Sequence, residues 1–163
     1  MDKDFERFSI YGFSVEYPKD SRVEFDSRGR RGAGDVVFHL PDRTKFFLSW
    51  GDLERASKSF KTVEEQAESS LKRIGKTGNV KSFERVSHES ITIHSHDGAY
   101  NRAKFEVKAS PFGGKKIPQE THSVHLHCQE SGRYYVMYAM FPEKGAYDYE
   151  GAFRKMAKSF RCH

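Results

Sequence analysis

The sequence predicts an α+β domain: an antiparallel β meander accompanied by two amphipathic helices. Three observations carry this. Thr121–Phe141, THSVHLHCQESGRYYVMYAMF, reads as a β-hairpin whose arms are rich in β-branched and aromatic residues. Shorter runs with period-two alternation precede it. Two stretches, Thr62–Lys76 and Asp148–Phe160, place apolar residues at helical spacing. With 163 residues, the chain suffices for a single domain, 1–163, with a real core.

Phe8–Tyr17 opens the chain as paired strands. Phe13, Val15 and Tyr17 alternate with Ser14 and Glu16, Tyr11-Gly12 breaks the run before them, and Pro18 ends it. Ser27–Asp35, SRGRRGAGD, is a Gly- and Arg-rich loop. Val36–Leu40 and Lys45–Trp50 are two further strands joined by Pro41-Asp42-Arg43-Thr44. Gly51–Phe60 is a loop with one helical turn. The helix over Thr62–Lys76 starts at a capping box, Thr62 with Glu65, and carries Val63, Ala67, Leu71 and Ile74 as its apolar stripe. Asn79–Ser95 is extended. Ala99–Ala109 forms the next arm, with Ala103, Phe105 and Val107 on one side and Tyr100, Arg102 and Lys104 on the other. A three-residue turn, His96-Asp97-Gly98, keeps the apolar set together by pairing Ile93 with Asn101 and Ile91 with Ala103. Ser110–Pro118 is a connection. In the final helix Asp148 is the N-cap, and Tyr149, Phe153, Met156 and Phe160 form the stripe.

The loop Glu130-Ser131-Gly132 sets the register of the central hairpin. Cys128 then faces Tyr134, Leu126 faces Val136 and Val124 faces Tyr138, which makes the core side. On the opposite side His127 meets Tyr135, His125 meets Met137 and Ser123 meets Ala139. That second side mixes imidazole, aromatic and thioether groups, more apolar than a strand facing only water. Either a helix or the opening strands of the same chain cover it, or it is left for a partner.

Composition excludes several classes. Hydrophobic residues are 36% of the chain and aromatic ones 14%, with 14 Phe, so large rings build the core. The net charge of +5 is mild, and 28 basic residues are interspersed with 23 acidic ones, which argues against nucleic acid as a partner. Two cysteines, Cys128 and Cys162, are too few for a disulfide scaffold and read as reduced thiols. MDKDFERF has no apolar core of a secretory signal, and no apolar run reaches the ~20 residues that span a bilayer. The expectation is a cytoplasmic protein without a membrane partner.

Three local patterns add a resemblance: YGFSVEYP near the start, the helix KTVEEQAESSLKRI, and YYVMYAMFP leading to AFRKMAKSF. In this order the chain resembles the PsbP-like superfamily, which includes PsbP, the Mog-type Ran-binding proteins and the DcrB-like bacterial proteins. The resemblance covers most of the chain and rests on packing patterns. It implies an antiparallel sheet flanked by α-helices on both faces, an α/β/α sandwich. It also implies binding or assembly rather than a shared active site. Ran-binding residues are not carried over, because no surface motif matches.

Among candidate chemistries, metal binding gives the sharpest site. His125 and His127 lie two apart on one side of a strand, so both imidazoles point the same way. His94 falls on that side too, with one strand between and backbones ~10 Å apart. Zn²⁺ or another divalent transition metal is the implied ion. Catalysis is not expected. His127 and Cys128 are adjacent in a strand and face opposite ways, and no nucleophile-elbow motif occurs. Arg28, Arg30 and Arg31 could grip phosphates, and with Lys115 and Lys116 would make a basic, anion-binding patch, but the P-loop pattern is absent. The favoured reading is a non-catalytic binding or accessory module for an unknown protein partner or a homodimer. Its surface would take in Tyr100, Arg102, Tyr135 and Met137, since Tyr and Met are common at interfaces.

Overall fold

A computed structural model describes residues 4–110 and 112–163. The readings that involve Met1–Lys3 (the opening residues of MDKDFERF) and Pro111 (in the Ser110–Pro118 connection) lie outside the described residues. Among the described residues the order is β1 (Phe5–Ile10), β2 (Phe13–Pro18), β3 (Arg22–Phe25), β4 (Gly34–His39), β5 (Lys45–Asp52), α1 (Leu53–Ser57) and α2 (Val63–Gly75). Then follow β6 (Val80–Ile93), β7 (His96–Lys108), β8 (Lys116–Cys128), β9 (Arg133–Pro142) and α3 (Tyr149–Ser159). Strands β3 to β9 form one antiparallel sheet in the order β3-β4-β5-β9-β8-β7-β6, and β1-β2 is a separate ribbon. The mostly antiparallel α+β architecture is as expected, while strand β3 was not anticipated.

Local chemistry sets the element boundaries. Tyr11 and Gly12 both have positive φ, 51° and 86°, and close β1 onto β2 in two residues. Thr62 caps α2 by accepting from Glu65 N at 3.2 Å. Glu65 answers by accepting from Lys61 N at 2.7 Å, one residue earlier than the usual box. Asp148 caps α3 by accepting from Gly151 N at 2.9 Å.

Two registers differ from the sequence expectation, and both matter for function. His94 and Ser95 take φ of 50° and 67°, so β6 turns into β7 through two left-handed residues. Ile93 therefore pairs with His96 and Ile91 with Gly98, not with Asn101 and Ala103. In the central hairpin, Cys128 pairs with Arg133 across a four-residue loop, Gln129–Gly132. Gly132 N donates to Gln129 O at 3.2 Å, and Gly132 O accepts from Leu53 N at 3.0 Å, which fixes the longer loop. The slip is one residue, and one residue changes the neighbours on both sides of a sheet. Tyr135 now joins Leu126, and Met137 joins Val124, while His125 faces Val136 and His127 faces Tyr134.

The corrected register builds the core. Phe25, Val36, Leu48, Met137, Val124 and Tyr100 run as one row across six strands. The ribbon and α3 lie over this side. Phe13 places its ring 4.9 Å from Trp50, 5.3 Å from Tyr135 and 6.1 Å from Phe160. Tyr17 stacks on Phe38 at 4.8 Å. From α3, Phe153 meets Phe46 at 5.9 Å and Tyr100 at 6.1 Å. On the other side α2 sets Val63 and Ala67 against Ala99, and Gln66 and Ser70 against His127 and His125. Further along that second side, Val37, Phe47, Tyr134, Val136 and Tyr138 are half-buried.

Candidate functional site

Tyr100, Tyr135 and Met137, expected at a partner surface, are inside the protein. Tyr135 and Met137 are fully buried and Tyr100 is 2% exposed. The register explains this: each falls in the row beneath the ribbon and α3. Tyr135 O–H donates to the Cys162 carbonyl at 3.1 Å, and burial pushes its pKa up to about 12. Arg102 is half-buried and is used within the chain. It is bonded to Glu120 and lies 3.7 Å from Glu150.

Arg102 belongs to a polar network under α3. His122, fully buried, donates from Nε2 to Glu120 Oε1 at 2.8 Å and accepts from the Tyr100 hydroxyl. Burial would raise the Glu120 carboxyl, but hydrogen bonds from Arg102 and His122 more than offset it and hold the pKa below the ordinary value. Burial holds His122 below the ordinary imidazole range, against the opposing pull of Glu120. Arg154 pairs with Glu150 at 2.9 Å and lies 4.6 Å over the Tyr100 ring. The carboxylate, imidazole and phenol of this network all have partners within the chain, so it is built as a satisfied internal brace.

His125 and His127 point toward α2, as their spacing predicts. His125 Nε2 lies 3.2 Å from Ser70 Oγ, and His127 Nε2 donates to Gln66 Oε1 at 2.6 Å. Burial lowers the His125 pKa to about 4, with the neighbouring His127 adding to the effect. His94 is elsewhere. It sits in the β6–β7 turn against Cys162, with Nδ1 3.9 Å from Sγ. The three histidines expected to share an ion are thus apart: His125 and His127 face α2, and His94 sits at the end of the sheet. The two-residue turn is the cause, because it shifts His94 out of the sheet and over its end.

Beside His125 runs a groove of about 770 Å³ between α2 and the strands β5 and β9. Ser70 and Arg73 line its helix wall, and Tyr134, Val136, Tyr138 and Met140 line its sheet wall. Phe47 stacks on Tyr138 at 4.4 Å, nearly parallel, and Met140 is 43% exposed. Gly51 leaves room for the Tyr134 ring: a Cβ on it would lie 2.5 Å from that ring, so a larger residue would push the ring aside. Sequence reasoning missed this surface because the assumed register gave Tyr134, Val136 and Tyr138 to the core.

The Arg-rich loop is strapped down by its own backbone. Trp50 Nε1 donates to Arg30 O at 2.9 Å, Tyr11 O–H to Gly29 O at 3.1 Å, and Arg133 Nη1 to Arg31 O at 3.4 Å. Arg28 pairs with Asp26 at 3.2 Å.

No family model and no curated protein match the chain. Solved structures do. Cyanobacterial PsbP (CyanoP) from Synechocystis sp. PCC 6803 superposes with a TM-score of 0.71 at 13% identity, over 100% of this chain and 95% of that one. A protein from Bacteroides thetaiotaomicron aligns at TM-score 0.58 and 14% identity, over 98% of this chain and 49% of that one. A protein of unknown function from Pseudomonas aeruginosa gives 0.53 and 12%, over 98% and 97%. The chain therefore has the PsbP-like fold, and at these identities the likeness speaks of fold. Among the described residues no helix is long and apolar enough to cross a membrane.

Proposed function

We propose that the protein is a non-catalytic accessory module that holds a protein partner in the groove between α2 and the open part of the sheet. One observation carries this: an aromatic and aliphatic strip (Phe47, Val136, Tyr138, Met140) stays partly exposed on a sheet whose opposite side is filled. Half-exposed Tyr and Met beside a helix wall suit recognition of an apolar segment. We read the layering as an α/β/α sandwich with one helix layer incomplete, and the groove lies where it stops. The setting is cytoplasmic, in keeping with two free cysteines.

The experiment uses two variants, Tyr138→Asp and Met140→Asp, with Lys81→Glu on the far edge strand as control. Proteins are enriched from the source cell on each form, and light scattering reads the free chain for a homodimer. A stoichiometric partner, or a second copy, that holds to wild type and to Lys81→Glu and is lost from both groove variants supports the reading. Equal binding to the groove variants, or no stoichiometric association of any kind, rejects it.

A further inference from the structure

At the end of the sheet where β6 turns into β7 and β8 into β9, five soft or borderline ligands converge. His94 is in the first turn and His96 opens β7; Cys128 closes β8; Cys162 and His163 follow α3. One ligand atom from each of His94, His96, Cys162 and His163 lies within 4.8 Å of the other three. His163 Nδ1 is 3.3 Å from Cys162 Sγ and 3.7 Å from Cys128 Sγ, and His96 Nε2 is 3.7 Å from Cys128 Sγ. The imidazole rings of His94 and His163 are 4.5 Å apart, and those of His96 and His163 are 5.2 Å apart.

We propose that His94, His96, Cys162 and His163 form a tetrahedral site for a divalent transition metal ion, Zn²⁺ foremost. Zinc takes thiolate at ~2.3 Å and imidazole at ~2.0–2.1 Å, which sets tetrahedral ligand atoms ~3.5 Å apart. The observed spacings, 3.3 Å from His163 Nδ1 and 3.9 Å from His94 Nδ1 to Cys162 Sγ and no more than 4.8 Å across the whole set, lie close to and somewhat above that value. Three imidazoles and a thiolate exclude the hard ions Mg²⁺ and Ca²⁺, which take oxygen.

Two further observations point to an ion rather than to incidental packing. His163 donates from Nε2 to Glu130 Oε2 at 3.1 Å, which leaves the Nδ1 lone pair aimed at the sulfurs. A carboxylate on the far nitrogen is the usual outer partner of a metal-bound histidine, since it fixes the tautomer and raises ligand basicity. The second is the anchoring of the chain at Cys162. Tyr135 O–H holds its carbonyl at 3.1 Å, and Ser14 and Arg161 exchange two backbone hydrogen bonds of 2.9 Å. A rigid frame therefore presents Cys162 and His163 to the two histidines of the turn. Cys128 packs behind as a buried second thiol. The site is separate from the groove across the sheet, so it does not depend on the partner reading.

The test is Co²⁺ titration of the reduced, chelator-stripped protein. Wild type takes up one Co²⁺ per chain, with intense tetrahedral ligand-field bands and a sulfur-to-metal charge-transfer band. One equivalent of Zn²⁺ bleaches both. Cys162→Ser loses the charge-transfer band, and Cys128→Ser keeps it. His94→Ala and His96→Ala each weaken binding at least tenfold. Glu130→Gln, at an exposed position with no core to disturb, weakens binding ~10–100-fold, the range found for outer-shell partners. It keeps the proposal testable should a core variant fail to fold. A titration without charge transfer, a charge-transfer band that survives Cys162→Ser, or unchanged affinity in Glu130→Gln overturns the site.

Discussion

His125 shows what a single buried side chain does to the pH response. Its ring is 1% exposed, faces Ser70 of α2 and neighbours His127, and its Nδ1 has no hydrogen-bond partner. Its pKa falls from 6.5 to about 4, so below 6.5 the unfolded chain takes up a proton that the native chain refuses. Stability is therefore complete above 6.5 and falls as the pH drops toward 4, by ~3 kcal/mol at most for this group. His127 and His122 are shifted down too and act in the same direction. Glu120, lowered by Arg102 and His122 against its burial, adds a loss only below the ordinary carboxylate range. Urea midpoints measured from pH 7.5 to pH 4 should fall in wild type and fall less steeply in His125→Gln; identical slopes would refute the assignment. The pair His125–His127 was legible, since period two fixes which residues share a side. The cluster of His94, His96, Cys162 and His163 was not. Its signals, a His-x-His at a turn and an adjacent Cys-His, are short, and the second becomes relevant only once α3 brings it back to the turn.

At the scale of elements, helix α2 carries one wall of the groove and depends on its first turn. Thr62 satisfies Glu65 N, and Glu65 satisfies Lys61 N. Thr62→Ala should cost ~1 kcal/mol, read as a lower urea midpoint with faster amide exchange in the first turn of α2, and Thr62→Ser should cost little. An unchanged midpoint in Thr62→Ala would mean that packing of Val63 and Ala67 alone holds the helix start. Both long helices were readable from caps and stripes because those signals are local. The hairpins were readable as hairpins but not in register. Residues 94–95 and 129–132 close turns that neither His96-Asp97-Gly98 nor a three-residue loop ending at Gly132 suggested. A shift of a single residue moved Tyr135 and Met137 from an imagined surface into the core, and moved Tyr134, Val136 and Tyr138 into the groove.

For the molecule as a whole, sheet order and layering followed from the sequence only as far as consecutive hairpins go. That β9 inserts beside β5, joining the first half of the sheet to the second, depends on contacts far apart in the chain. The ribbon β1-β2 poses the sharpest question about cohesion, because it belongs to a separate two-stranded sheet. Its attachment is through side chains and through the segment after α3. Phe13 is the central contact: 2% exposed, it touches Trp50 of β5, Tyr135 of β9 and Phe160, with the Arg133 guanidinium 5.6 Å from its ring centre. Ser14 exchanges backbone bonds with Arg161, and Glu16 N donates to Ser159 Oγ at 2.8 Å. If these rings weld the ribbon to the sheet, Phe13→Ala should lose ~3–5 kcal/mol, a large share of the ~5–15 kcal/mol typical of a domain. Unfolding should remain one transition, seen at the same denaturant concentration by the fluorescence of Trp50 and by far-ultraviolet dichroism. A loss below ~1 kcal/mol, or an early fluorescence change ahead of the dichroism, would show the ribbon to be an independent flap. The same measurement bears on Cys162, because the ribbon's hold on Arg161 helps position it: a ribbon that detaches early should take the Co²⁺ affinity of the His–Cys cluster down with it.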